Sequence, residues 1–180
     1  EMTGVPVAII GQASPYTPIA NPAYFTPDWT FGIQERELQE KVNEVKAAGA
    51  QVVVLLSHNG ADTDIKLASR LSGIDAILGG HTHDAIPRAL EIANPGGVTL
   101  VTNAGSNGKF IGVLDFAVRG GRIRDWSYEL LPVFAELLPP DPDMEALIAA
   151  IRAPFLTRLN EPLAQTDALL YRRGNFNGSM

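Results

Sequence analysis

Short apolar segments alternate with helical segments in the N-terminal part of the chain, and this alternation restricts the possible folds more than any other feature. The apolar segments are residues 5–10, 51–56 and 75–78, and the helical segments are residues 30–48 and 64–71. Short apolar runs separated by amphipathic helices are typical of parallel strands with both sheet faces covered. The sequence therefore predicts an α/β fold built from βαβ units.

Local start and stop signals define the two helices. Thr30 is the expected N-cap of the first helix, which should end before Gly49. Asp62 or Thr63 is expected to cap the second helix, so Asp62 and Asp64 are interpreted as capping groups rather than metal ligands. The residues expected on one face of the first helix are Ile33, Leu38, Val42 and Val45. A Pro- and aromatic-rich stretch, residues 14–28, is expected to form an ordered irregular loop.

The pattern changes after residue 97, where strands are predicted over 98–102, 110–118 and 123–130. The last two should form an antiparallel hairpin through Gly120-Gly121, which makes the predicted sheet mixed. Residues 131–142 are Pro-rich and mark a candidate domain boundary. A helix should follow from about Asp143, capped by an acidic residue and interrupted at Pro154. A further strand is expected over 164–170.

All three histidines of the chain lie in loops that directly follow predicted strands. His58 follows the second apolar segment, and His81 and His83 follow the third, after Gly79-Gly80. Because the carboxyl ends of parallel strands meet at one edge of the sheet, these imidazoles should lie close together. Imidazole is a common ligand of divalent transition metals. The sequence therefore predicts a metal centre at this edge, in which His81 and His83 serve either one ion or two neighbouring ions.

Other polar residues near these loops have less specific roles. Asp84 is positioned either to orient an imidazole or to form a turn. Asn59 and Asn103 are candidate supporting or substrate-side groups. The glycines of residues 103–108 resemble a phosphate-binding loop, but no helix follows, so a tight passage near the site is the expected role. No catalytic residue is assigned within this chain.

Composition excludes several classes of protein. The chain has no cysteine, which rules out disulfides and thiolate ligands, and its net charge of −6 with no basic run argues against nucleic acid as a partner. No apolar run is long enough for a membrane span. Both ends interrupt the strand and helix pattern, so we expect a fragment. Three imidazoles cannot hold two divalent ions alone, and the missing oxygen ligands are expected upstream of Glu1.

These motifs resemble the calcineurin-like metallophosphoesterase domain of the 5′-nucleotidase family. The similarity lies in VVVLLSHNG at 52–60, GGHTH at 79–83 and VTNAGSNGKFIGVLD at 101–115. Within that family, PYTPIANPAYFTPDWTFGIQE at 15–35 and YRRGNFNG at 171–178 are similar to SoxB-type thiosulfohydrolases. The resemblance implies the C-terminal half of a mixed-sheet sandwich over 1–135, a helical linker over 136–162 and the truncated start of a second domain over 163–180.

The same resemblance implies a function. His58 and His81 would bind one ion and His83 the other, with two manganese ions in a periplasmic enzyme. The two-metal site would hydrolyse a cysteine-bound thiosulfonate on a sulfur-carrier protein and release sulfate. A 5′-nucleotidase or related phosphoesterase is the nearest alternative, and a non-catalytic metal-binding module is the alternative from another class. The isolated 180-residue chain is expected to be inactive on its own.

Overall fold

The computed structural model describes residues 4–169, which fall into two compact units divided between Phe134 and Ala135. In the first unit a five-stranded sheet has the order β1-β2-β3-β5-β4. Its strands are β1 Val7–Gln12, β2 Val52–Ser57, β3 Ala76–Gly79, β4 Leu90–Asn94 and β5 Gly97–Asn103. All neighbours pair in parallel except β4, which is antiparallel to β5. The predicted α/β fold with parallel βαβ units is confirmed.

Two helices, α2 (Glu35–Ala47) and α3 (Ala61–Arg70), pack against one face of the sheet, while the short helix α1 (Thr17–Ala20) lies in the Pro-rich loop. The core between the helices and the sheet includes Leu38, Val42, Val53, Leu55, Leu67, Ile77 and Val101. Burial of these side chains at about 25 cal/mol per Å² is the main force that holds the helices to the sheet. Leu38, Val42 and Val45 of α2 pack against this core, as predicted for one face of the helix, whereas Ile33 packs there but precedes the helix.

The other face of the sheet is not covered by any helix of the first unit within residues 4–134, and the chain segment that faces it is the one with Leu114 and Phe116. Ile9, Leu56 and Leu78 are partly exposed there, and a cavity of about 350 Å³ separates this face from Leu114 and Phe116. The connections β1–α2–β2 and β2–α3–β3 step in the same direction along the sheet. Since such crossovers share one hand, both helices must lie on the same side.

The starts of both helices differ from the prediction. Helix α2 begins at Glu35 rather than after Thr30, because Gln34 adopts a left-handed backbone with φ 50°. Helix α3 begins at Ala61, three residues early, with Gly60 at its N-cap position. Asp64 is therefore not a helix cap, and its side chain is buried. Gly49, with φ 102°, follows the end of α2 as predicted.

The mixed character of the sheet has a different origin from the one predicted. The antiparallel strand is β4, a segment without a predicted strand, while β6 (Phe110–Arg119) and β7 (Arg122–Pro132) pair in a separate two-stranded sheet. Their turn at Gly120-Gly121 has positive φ at both residues, as the hairpin prediction requires. Strand β4 lies at the sheet edge and alternates between half-buried and exposed residues, so it carries little apolar signal.

In the second unit, helix α4 (Pro142–Arg152) begins where the Asp141 carboxylate accepts a hydrogen bond from the Met144 amide at 2.9 Å. The acidic cap and the interruption at Pro154 are confirmed, since α4 gives way to a 3-10 turn over Ala153–Phe155 and then to α5 (Leu156–Leu159). The predicted strand is absent from its described part, residues 164–169. The last residue of the predicted strand, Leu170, lies outside the described residues, and so does the stretch 171–178 that resembles SoxB-type proteins. No helix within residues 4–169 is long and apolar enough to cross a membrane.

Candidate metal centre

The carboxyl ends of the parallel strands meet at one edge of the sheet, as predicted. Gln12 at the end of β1 pairs with Ser57 at the end of β2, and Gly79 at the end of β3 pairs with Asn103 at the end of β5. The loops that carry the histidines leave the sheet immediately after this row of residues. We call this edge the histidine edge.

His58 and His81 lie next to each other at the histidine edge. Their ring centroids are 5.1 Å apart, and the rings meet edge to face at 70°. Tyr16, from the Pro-rich loop, stacks on His81 with a centroid distance of 5.6 Å. Two loops thus place two exposed imidazoles where both can reach one ion, and an aromatic ring supports one of them.

His83 does not join them in a compact cluster. Within residues 4–169, no three His, Asp or Glu side chains form a group that could hold a metal ion. His81 and His83 both adopt a left-handed backbone, with φ of 74° and 59°. This conformation is costly for residues with a side chain, and where it occurs it often marks a functional loop.

Thr82, between the two histidines, joins the two loops, a role that its sequence context does not predict. Its hydroxyl oxygen accepts a hydrogen bond from the Ala61 amide at 3.1 Å, so the loop after β3 caps the helix that follows β2. The same hydroxyl donates to the Asp84 carboxylate. The sequence gives little indication of this capping role, because Ala61, the residue that Thr82 caps, lies 21 positions away. The one local feature is that a hydroxyl residue stands between two histidines.

The glycines before His81 allow the loops to approach closely. A Cβ at Gly80 would lie 3.2 Å from Nδ1 of His58, and a Cβ at Gly79 would lie 2.8 Å from Oδ2 of Asp64. The second distance is shorter than any normal contact. The backbone at Gly79 and Gly80 therefore lies close to the side chains of Asp64 and His58.

Ser57 and Asn59, on either side of His58 in sequence, belong to a buried polar cluster that also includes Asp64 and the half-buried Gln12. Ser57 Oγ donates to Oδ1 of Asp64 at 2.5 Å, and Asn59 Nδ2 donates to Oε1 of Gln12 at 2.8 Å. Burial raises the pKa of the Asp64 carboxyl above its ordinary value, against the opposing effect of the hydrogen bonds from Ser57 and Asn59.

The lesser candidates are also accounted for. Asn59 and Asn103 are 1% and 2% exposed, a position that favours a supporting role over substrate contact. The side-chain hydrogen bond that the structure gives Asp84 runs to Thr82 rather than to an imidazole, and its carbonyl accepts from the Gly105 amide.

Known proteins are similar to this chain in sequence and in fold. No family model matches the sequence. The structure of the sulfate thiohydrolase SoxB from Thermus thermophilus superposes with a TM-score of 0.85 at 40% identity, covering 96% of this chain and 31% of that one. A 5′-nucleotidase precursor, also from Thermus thermophilus, superposes with a TM-score of 0.79 at 30% identity, covering 90% and 34%. Human 5′-nucleotidase is 26% identical over 181 residues, 91% of this chain and 31% of its own length.

The chain belongs to the 5′-nucleotidase family of calcineurin-like metallophosphoesterases. This is a family of hydrolases that depend on divalent metals. The chain spans about a third of the length of these relatives. The mixed α/β sheet agrees with the fold of the family.

The residues of the histidine edge fit part of a metal site in such a family. Two imidazoles 5.1 Å apart offer nitrogen ligands of the type that transition metals prefer. Within residues 4–169, no Asp or Glu carboxylate joins the two imidazoles in a group of three that could hold a metal ion. His58 and His81 therefore suit one ion whose coordination is completed by other ligands.

Proposed function

We propose that this chain is part of a metal-dependent hydrolase of the SoxB type. The observation that carries the proposal is the likeness to the sulfate thiohydrolase SoxB, which is higher in both identity and TM-score than that to the 5′-nucleotidase precursor. In this proposal water adds to the terminal sulfur of a cysteine-bound thiosulfonate, the sulfur–sulfur bond breaks, sulfate leaves, and the remaining sulfur stays on the carrier protein. We place the protein in the periplasm by the same resemblance.

The proposed metal ligands are His58, His81 and His83. The pair His58 and His81 would hold one ion, and His83 would contribute to a second. Two divalent ions, which we expect to be manganese, would polarise the reacting group and make water acidic enough to act as a nucleophile near neutral pH. The chain's own residues supply the positioning, because Tyr16 stacks on His81 and Thr82 fixes the loop that carries it.

Isothermal titration calorimetry with Mn²⁺ tests metal binding by this chain. His58→Ala and His81→Ala should each weaken binding at least tenfold, because each removes one of two neighbouring ligands. Asp62→Ala is the matched control, since it alters an exposed side chain in the helix that follows the His58 loop and removes no proposed ligand. Equal affinity in the unaltered chain and in both histidine variants would contradict the assignment.

A second candidate is a 5′-nucleotidase, which the curated relatives favour. Human 5′-nucleotidase and the trifunctional nucleotide phosphoesterase YfkN of Bacillus subtilis both match the chain. The native protein that carries this sequence should be incubated separately with a peptide bearing a cysteine thiosulfonate and with AMP. Sulfate release measured by ion chromatography supports the SoxB proposal, and phosphate release from AMP alone supports the nucleotidase.

A third outcome separates catalysis from binding. If the native protein binds Mn²⁺ but releases neither sulfate nor phosphate, it is a metal-binding module and the hydrolase proposal is wrong. The His58→Ala variant serves as the blank in each assay, since loss of turnover in that variant links the product to the metal.

A further inference from the structure

The position of Asp64 is not explained by helix capping or by direct metal ligation. It lies in the first turn of α3 and is 0% exposed, although an unpaired carboxyl group is costly to bury. Helix α3 receives its cap from Thr82 instead. An apolar side chain would fill the same space at a lower desolvation cost, so the carboxyl group calls for a specific explanation.

The Asp64 carboxylate holds the residues on both sides of His58. Its Oδ1 accepts hydrogen bonds from Ser57 Oγ at 2.5 Å and from Asn59 Nδ2 at 3.3 Å. The backbone N–H of Asn59 also donates to Ser57 Oγ at 3.2 Å. These three hydrogen bonds form a small ring around the His58 backbone. The backbone on both sides of His58 is thus held, directly or through Ser57, by hydrogen bonds to Oδ1 of Asp64.

The second carboxylate oxygen contacts the strand that leads to His81. A Cβ built at Gly79 would lie 2.8 Å from Oδ2 of Asp64, which means that the carboxyl group packs directly on the β3 backbone. Asp64 therefore touches both chain segments that carry the paired imidazoles. Neither contact reaches an imidazole, so Asp64 acts on His58 and His81 through their backbones.

We propose that Asp64 is a positioning residue that fixes the His58 loop against β3, and that it does so as a hydrogen-bond acceptor rather than as a charge. This inference rests on the proposed metal site. It predicts that metal affinity depends on the Oδ1 acceptor and not on the negative charge. Asparagine keeps an acceptor in the same place, whereas leucine has nearly the same shape and none.

The test compares Asp64→Asn and Asp64→Leu in the same chain. Asp64→Leu should weaken Mn²⁺ binding by about 10- to 100-fold, the usual effect of losing a group that supports a metal ligand, and Asp64→Asn should restore most of the affinity. Asp62→Leu is the matched control, because Asp62 is an exposed residue in the same helical turn. If Asp64→Leu does not fold, Ser57→Ala removes a single oxygen atom, and with it both the hydrogen bond to Asp64 Oδ1 and the one from the Asn59 backbone amide, and should weaken binding severalfold.

Amide hydrogen exchange in the metal-free chain separates this inference from the proposed metal site. Asp64→Leu or Ser57→Ala should speed exchange at the His58 and Asn59 amides, and Asp62→Leu should not. If the unaltered chain binds no Mn²⁺, the metal site is wrong, and the exchange rates alone decide the positioning role. Unchanged exchange and affinity in Asp64→Leu would overturn the inference, and so would an Asp64→Asn variant as weak as Asp64→Leu.

Discussion

Adding one methyl group at Gly79 should destabilise the first unit by about 2–4 kcal/mol. The new Cβ would lie 2.8 Å from Oδ2 of Asp64 and 3.2 Å from the carbonyl oxygen of Thr102. Because the Thr102 oxygen belongs to β5, Asp64 must give way, by about 0.6 Å to reach an ordinary contact of about 3.4 Å. Gly79 does not have a positive φ, so the cost arises from packing and not from the backbone.

The displacement can be translated into hydrogen bonds. If Asp64 moves about 0.6 Å away from Ser57 and Asn59, the hydrogen bond from Asn59 lengthens from 3.3 Å to about 3.9 Å and is lost. The hydrogen bond from Ser57 lengthens from 2.5 Å to about 3.1 Å and survives. Overpacking of about 1–3 kcal/mol plus about 1 kcal/mol for the lost bond gives the total.

Urea unfolding followed by circular dichroism measures this effect. Gly11→Ala is a suitable control, because no described atom lies within 4 Å of a Cβ at that position, and it should be about 0.4–1 kcal/mol more stable than the unaltered chain because alanine restricts the unfolded state. Gly80→Ala should cost little stability, since its nearest neighbour is the His58 ring, which can turn aside. A Gly79→Ala variant within about 0.5 kcal/mol of the unaltered chain would refute the close packing of Asp64 on β3.

Thr82 at the histidine edge and Asp75 at the opposite sheet edge allow two further tests. Thr82→Val removes the hydroxyl that caps α3 and should lower the free energy of unfolding by about 0.5–2 kcal/mol, while Thr82→Ser should not; equal losses in the two variants would contradict the capping role. Burial raises the pKa of Asp75, against the opposing hydrogen bond from the Val53 amide and the charge of Lys46. A raised pKa means that the folded state binds more protons, so Asp75 lowers stability as pH rises through its folded-state pKa. In urea unfolding at several pH values, Asp75→Asn should therefore gain stability relative to the unaltered chain from acid to neutral pH, and a pH-independent difference would contradict this.

Features that depend on neighbouring residues in sequence were predictable. Apolar strands followed by Gly and His correctly placed the histidine edge, because parallel strands bring their carboxyl ends together whatever the details of the loops. The proximity of His58 and His81 follows from that rule. The hairpin follows from the glycine pair Gly120-Gly121 at its turn. The acidic cap of α4 at Asp141 is likewise a local signal.

Features that depend on distant contacts were not predictable. Asp64 has the sequence context of a helix cap. Its place in a buried polar cluster depends on its hydrogen bond with Ser57 at the end of β2, which the local sequence does not indicate. Thr82 takes over the capping of α3 from 21 positions away, which also moves the start of that helix. Strand β4 has weak alternation and depends on β5 for its formation, so its residues alone give no strong signal.

The left-handed backbone of His81 and His83 lowers the stability of the folded chain, and replacing the histidines to recover that stability would remove two proposed metal ligands. Glycine or asparagine accepts that conformation more easily than histidine, for which the cost is on the order of 1–2 kcal/mol per residue. A library of variants sorted for heat resistance alone should therefore drift toward Gly or Asn at both positions. Under the proposed metal site, a library also sorted for Mn²⁺ binding should keep the imidazoles, so selection for thermal stability alone would work against the proposed metal binding.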